Sequence, residues 1–356
     1  VGDLQPYDHG DPTSAEQLML ELINRARANP DAEAARFGID LNEGLAPGTL
    51  SPTPKQPLAF NSHLITAARG HSLWMLDNDT FSHFETGGIN PGDRMGTAGY
   101  VFSGSWTFGE NLAYRGTTPG FPPLAPTVAL EHDDLFVDAG IDGRGHRLNL
   151  MQDNYREIGV GAVTGVFTAQ GNDFNAVMTT QDFGATGANP GPFLVGVVYR
   201  DLDGDGFYSP GEGVAGVSVK PVGGTFFAVT STSGGYAIPI RNAASPLSVS
   251  ISGSGISGSV TKSIPLTGKN VKLDFELNSA TAAVFGFVPG SARRSPSGQF
   301  EADVSGPANA RVAIEVSENL ASWSQIGEVT LTSVGAHFSD AQAVGRAARF
   351  YRAVKR

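Results

Sequence analysis

Apolar positions change their rhythm along the chain, and the rhythm divides it. Ala15, Leu18, Leu22, Ile23 and Ala26 recur at the spacing of one helix face. Thr13-Ser14-Ala15-Glu16 opens that run as a capping box, a hydroxyl cap with a carboxylate three residues on, and Asn29-Pro30 ends it. A second helix is predicted from near Asn61, with Leu64, Ala67, Ala68, His71, Trp74 and Met75 on one face. A third is predicted over residues 124–136. Strand-like runs follow, clearest at 158–163 and 175–183. Helices mixed with such strands predict an α+β domain over residues 1–186.

After the Gly/Pro-rich stretch 185–192 the helical period disappears. Residues 194–199 form a short apolar run, and 217–220 and 271–277 alternate with a period of two. Gly/Ser turns separate them, so residues 187–278 read as a β-sandwich. A second linker, Asn278-Ser279-Ala280-Thr281, leads to a last small sandwich over 279–356, with a strand near 312–316.

Composition supports this division. The chain has 356 residues, 46 of them glycine, and is 40% hydrophobic, which fits turn-rich β structure better than a helical bundle. No apolar run approaches the ~18 residues of a membrane span. Cysteine is absent, which excludes a thiolate nucleophile, a disulfide and a Cys-ligated zinc. The net charge of −11 argues against nucleic-acid binding. That charge is concentrated in residues 1–186, which hold 23 acidic and 10 basic side chains and six of the seven histidines. Any chemistry is expected there.

Four stretches carry the chemical signal: Phe81-Ser82-His83-Phe84, Gly109-Glu110-Asn111-Leu112-Ala113, Glu131-His132-Asp133-Asp134-Leu135-Phe136 and Gly145-His146-Arg147-Leu148-Asn149-Leu150-Met151. Imidazoles and a carboxylate from distant positions suit a divalent ion such as Zn²⁺, or general acid–base work near neutral pH. No two of them form a compact ligand motif.

Their order resembles the CAP superfamily of cysteine-rich secretory proteins, antigen 5 and pathogenesis-related proteins. Residues 22–30 resemble its bacterial branch, as do Asn90-Pro91-Gly92-Asp93-Arg94, Ala98-Gly99-Tyr100 and Tyr155-Arg156-Glu157-Ile158-Gly159-Val160-Gly161. The resemblance implies an α-β-α sandwich with a central cleft holding two histidines and two acids. It assigns His83, Glu110 and His146 to that cleft, with Glu131 or His132 as the fourth member. It also implies a secreted or cell-surface protein whose head binds an extracellular ligand or a divalent metal. The alternative is a metal-dependent hydrolase using His83, Glu110, His132 and His146, with Glu110 as general base.

Other residues read more plainly. His71 is expected in the core, and His9 and His63 at the surface. No G-x-S-x-G elbow or P-loop occurs, and the G-x-G-x-x-G matches at Gly211 and Gly253 lie among predicted strands.

The second module holds the most specific motif. Asp201, Asp203 and Asp205, a Gly at the sixth position, the carbonyl of Phe207 and Glu212 fit a twelve-residue Ca²⁺ loop. Predicted strands flank it, which makes an EF-hand sensor a poor fit. The surroundings resemble calcium-binding B modules of bacterial surface adhesins, implying a stiffening ion. The last module resembles C-terminal β modules of secreted bacterial proteins. Trp323 and Tyr351 are read there as core.

Overall fold

The computed structural model describes residues 4–188, 191–241, 243–256, 258–277, 286–288, 290–305, 311–320, 322–332, 335–346 and 348–355. The chain divides into two compact units, residues up to 277 and residues from 278 onward. The linker Asn278-Ser279-Ala280-Thr281 lies outside the described residues, as do Asn189 and Pro190 of the first linker.

In the first unit a short strand, β1 (Gln5–Pro6), precedes α1 (Ser14–Ala28). The capping box forms as read: the Glu16 N–H donates to Thr13 Oγ1 at 3.2 Å, and the Thr13 N–H to Glu16 Oε2 at 2.7 Å. Asn29-Pro30 is a junction as well as a stop. Asn29 accepts the Ala32 N–H at 3.2 Å, and Pro30, which has no N–H to lose, starts α2 (Pro30–Arg36). Next come β2 (Ala59–Phe60), α3 (Ser62–Asp77) capped by Asn61, α4 (Pro91–Thr97), β3 (Thr107–Thr117), α5 (Leu124–Val137), α6 (Gly145–Leu150), β4 (Glu157–Ala169) and β5 (Asn172–Ala185).

The head's sheet has the order β2-β4-β5-β3, with β3 at an edge. On one face α3 lies close against β4, and Ser72 Oγ donates to the Gly161 carbonyl at 2.8 Å. That approach depends on glycine: a Cβ at Gly161 would sit 2.3 Å from the Arg69 nitrogen. On the other face lie α1 and α5, where Thr179 Oγ1 donates to Glu131 Oε2 at 2.6 Å. Met19, Ile23, Val128, Phe136, Ile158 and Phe183 fill that layer. The result is the α-β-α sandwich that the resemblance implies.

The rest of the first unit is a β-sandwich. It comprises β6 (Phe193–Tyr199), β7 (Val217–Pro221), β8 (Phe226–Val229), β9 (Gly235–Pro239), β10 (Leu247–Gly253), β11 (Ser259–Ile264), β12 (Val271–Lys272) and β13 (Phe275–Glu276). One sheet runs β1-β8-β7-β10-β11, and the other gathers β12, β13 and β9 around β6. Leu194, Val198, Val219, Ile251 and Phe275 meet between them.

The Gly/Pro-rich stretch 185–192 does not isolate this sandwich from the head: the two share cores and hydrogen bonds. β1 pairs in parallel with β8. Leu18 and Leu22 of α1 pack with Val197, Tyr199 and Tyr208. Asn270 Nδ2 donates to the carbonyls of Pro57 at 3.0 Å and Arg156 at 2.8 Å. Lys272 Nζ reaches the buried Glu21 at 2.8 Å. His9, expected at the surface, is buried in this seam against the Gly235 carbonyl at 3.1 Å.

The second unit contains β14 (Gly286–Phe287), β15 (Arg293–Arg294), β16 (Phe300–Ser305), β17 (Arg311–Ser317), β18 (Ser324–Thr330), β19 (Ala336–Asp340) and β20 (Phe350–Lys355). β16 pairs with β14, β15 and β19, and β17 with β18 and β20. Val304, Val312, Ile314, Leu331 and Phe338 form its core. Among the described residues no helix is long and apolar enough to cross a membrane.

Candidate functional site

The four chemical stretches fall on β3, on the loop after α3, and on α5 and α6 with the turn between them. The structure brings two pairs together.

The first pair is His83 with Glu110. His83 Nδ1 lies 2.7 Å from Glu110 Oε1, with the ring about half exposed and the carboxylate buried. The other oxygen of Glu110 binds the buried Arg94 guanidinium. Arg94 also donates to the His83 carbonyl at 3.0 Å, so one arginine fixes both members. Across the ladder from Glu110 stands Asp182, fully buried, with Glu110 as its close carboxylate neighbour. Burial, and then the Glu110 charge, push its carboxyl well above the usual range. Protonation is thereby favoured at Asp182, and Glu110 is the carboxylate that meets Arg94.

The second pair is His146 with Asp138. Asp138 ends α5 in the left-handed region, at φ 54°. That turn aims its carboxylate at α6, where it accepts from the His146 backbone N–H at 2.9 Å and meets Nδ1 at 2.7 Å. The His146 Nε2 takes no protein hydrogen bond among the described residues.

A cleft of ≈ 430 Å³ opens beside His146. Phe81, Leu112, Tyr114, Asp133 and Ile141 are among its walls. Phe81 stands two residues before His83, and Leu112 two residues beyond Glu110 on the same face of β3. Phe81 and Tyr114 meet edge to face at 4.9 Å.

Glu131 and His132, offered as the fourth cleft member, lie elsewhere. Both are fully buried and neither lines the cleft. Glu131 points from α5 into the sheet layer and bonds Thr179. Burial raises its carboxyl to about 8, and the Thr179 bond only partly opposes this. His132 Nε2 meets Glu33 Oε1 at 3.0 Å, in a knot with Arg25 that ties α5 to α1 and α2. Burial raises Glu33, but hydrogen bonds from His132 and Arg25 outweigh it and hold the carboxyl down to about 2. The helical period explains both placements, since positions 131 and 132 face the sheet and α1 rather than the α5–α6 turn. His71, as expected, is core, held between Glu85 at 2.9 Å and the Ser82 carbonyl at 2.9 Å.

These donors do not fit a divalent ion held jointly by His83, Glu110 and His146. Each imidazole has its Nδ1 oriented by a carboxylate, as metal-bound histidines usually do. Glu110, however, has both oxygens committed, one of them to a cation. Among the described residues no three donors of the head come within 4.8 Å of one another.

Asp201, Asp203 and Asp205 do come together in that way. They are oxygen donors, the set a hard cation such as Ca²⁺ prefers, and would hold it through their carboxylates. Glu212 stands apart from the cluster. It is buried, and its two oxygens accept the N–H groups of Leu202 and Ser209, each at 2.7 Å, closing the neck of the loop. The Phe207 N–H donates to Asp205 Oδ1 at 2.7 Å. The ring of Phe207 lies under Arg25 of α1, 5.2 Å from the guanidinium carbon. Tyr208 is buried against α1, and its hydroxyl has no hydrogen-bond partner among the described residues.

Three partners escaped the sequence reading. Arg94 and Asp182 complete the Glu110 cluster, and Asp138 orients His146. Asp182 lies in the strand run 175–183 that the sequence predicts, but its polar neighbours Thr179, Thr180 and Gln181 gave no sign of its burial.

Comparison with known proteins follows this geometry. Residues 20–183 match the model of the cysteine-rich secretory protein family, CAP. No curated protein matches the chain. Among solved structures, an extracellular protein containing an SCP domain from Bacillus anthracis str. Ames is similar at 21% identity with a TM-score of 0.26. That alignment covers 47% of this chain and 40% of the other. A protein from Bacteroides uniformis ATCC 8492 aligns at 12% identity with a TM-score of 0.19, over 46% of this chain and 80% of that one.

Proposed function

We propose that the protein is a secreted or cell-surface binding protein whose CAP head takes an extracellular ligand in the cleft beside His146, presented by its β modules. The observation that carries this reading is the cleft itself: exposed aromatic walls around an imidazole held by Asp138, with its Nε2 unpartnered among the described residues. Binding is favoured over hydrolysis because the acid that would serve as general base is already engaged. Glu110 would have to release His83 or Arg94 before it could take a proton from water.

The Asp201–Asp203–Asp205 cluster is read as a structural Ca²⁺ site within the sandwich. Three carboxylates that close to one another repel unless a cation joins them.

The cleft reading is tested by NMR of the His146 and Tyr114 side chains during titration with a mixed set of neutral aromatic, sugar and peptide probes. Binding is expected to shift both residues, and Phe81→Ala to weaken it. Probes that bind only at other surfaces and leave His146 unmoved would refute the reading.

A further inference from the structure

We infer that the cleft takes a basic peptide segment, with its cationic side chain seated between Phe81, Tyr114 and Asp133. This rests on the binding reading above and adds the chemical class of the ligand.

Charge comes first. Asp133, Asp134 and Asp138 all border the cleft, and neither lysine nor arginine lines it. Asp138 is committed to His146, and Asp134 accepts Arg115 through two bonds of 2.7 Å each. Asp133 feels the charges of Arg25 and Arg115 but has no hydrogen bond or ion pair among the described residues, so the cleft holds one carboxylate that no cation contacts directly. The head's excess of acids, 23 against 10 basic residues, adds a field that draws cations toward it.

Shape comes second. Phe81 and Tyr114 are 44% and 38% exposed, and their edge-to-face contact forms an aromatic corner. A guanidinium or ammonium group can lie over such rings, while Leu112 and Ile141 cover its aliphatic stem. An acidic or purely apolar ligand would leave Asp133 facing either a like charge or no partner.

The edge strand separates a peptide from a free amine. Among the described residues β3 pairs only with β5, and its other side passes the cleft at Leu112, Ala113 and Tyr114. An extended chain can lie along that edge, with every second side chain turned toward the cleft. A small amine could use the pocket but not the edge.

The test is calorimetric titration of the full chain with acetyl-Leu-Arg-Leu-amide, with the glutamate and norleucine versions of the same peptide, and with agmatine alone. The arginine peptide is expected to bind best, and added salt to weaken it. Asp133→Asn should cost about tenfold in affinity, and Asp133→Lys should move the preference to the glutamate peptide. Circular dichroism establishes that both variants fold. Equal binding of the norleucine peptide, or folded Asp133 variants with unchanged affinities, would overturn the ligand class while leaving the cleft-binding reading intact. Agmatine binding as tightly as the peptide would overturn the peptide assignment. If no peptide binds while neutral probes still shift His146, the inference fails and the broader reading survives.

Discussion

Glu131 is a carboxyl whose chemistry is set by where its helix faces. One oxygen bonds Thr179, and the side chain is fully buried in the layer between α5 and the sheet. Burial raises it from 4.5 to about 8, and raises Glu157, beside Asn61 and Tyr100, to about 7. Both groups keep a proton in the folded state that the unfolded chain releases near pH 4.5. The folded protein thus binds more protons between pH 4.5 and about 8, and stability should fall as pH rises through that window. Glu131→Gln should flatten the decline and raise stability near pH 8. Urea midpoints at about pH 5 and about pH 8 measure this; an unchanged slope would contradict it. His83, Glu110 and His146 were legible as site candidates because sequence motifs preserve which residues carry chemistry. Their partners were less legible. Asp138 depends on a left-handed turn and Arg94 on burial, and neither leaves a spacing signal. Glu131 and His132 were drawn toward the cleft by composition, whereas the face of a helix is decided by packing.

At the scale of elements, length decided what could be read. α1, α3 and α5 are long enough to repeat an apolar face and were predicted near their observed ends. α2, α4 and α6 span seven, seven and six residues, too few for the period to declare itself. Capping chemistry was the available signal: Asn90 and Asp93 form a reciprocal cap on α4. The contact of α3 with β4 is the tightest in the head. Gly161→Ala would place a methyl group against the helix backbone, which cannot yield as a flexible side chain does. A loss of about 1–3 kcal/mol is expected, read as a lower urea midpoint. Gly145→Ala, where nothing lies within 4 Å of the added atom, should cost less. Equal losses at the two positions would remove the packing explanation.

For the whole molecule, three modules are legible in the changing period, but the docking of the head on the first sandwich is not, because contacts between distant segments leave no local pattern. The loop proposed to hold calcium illustrates the consequence. Its Tyr208 packs with Leu18 and Leu22 of α1, and its Phe207 lies under Arg25. Loss of the ion should therefore loosen head and sandwich together. At calcium about 100 times its Kd the ion adds about 2.7 kcal/mol, and a chelator should remove it. Trp74, stacked on His71, reports on the head by its near-ultraviolet circular dichroism. Its melting midpoint should drop along with the sandwich's far-ultraviolet signal. A midpoint for Trp74 that ignores the chelator would show that the loop does not communicate with the head.

The parallel pairing of β1 with β8 bears on how such a chain can be rearranged. Gln5 and Pro6 lie ahead of the head in sequence yet complete a sheet of the sandwich. The head is in effect spliced between two pieces of its neighbour. A single recombination break near residue 187 would carry a strand of the sandwich away with the head, so exchange of either part between genes would need two breakpoints, one on each side of the head.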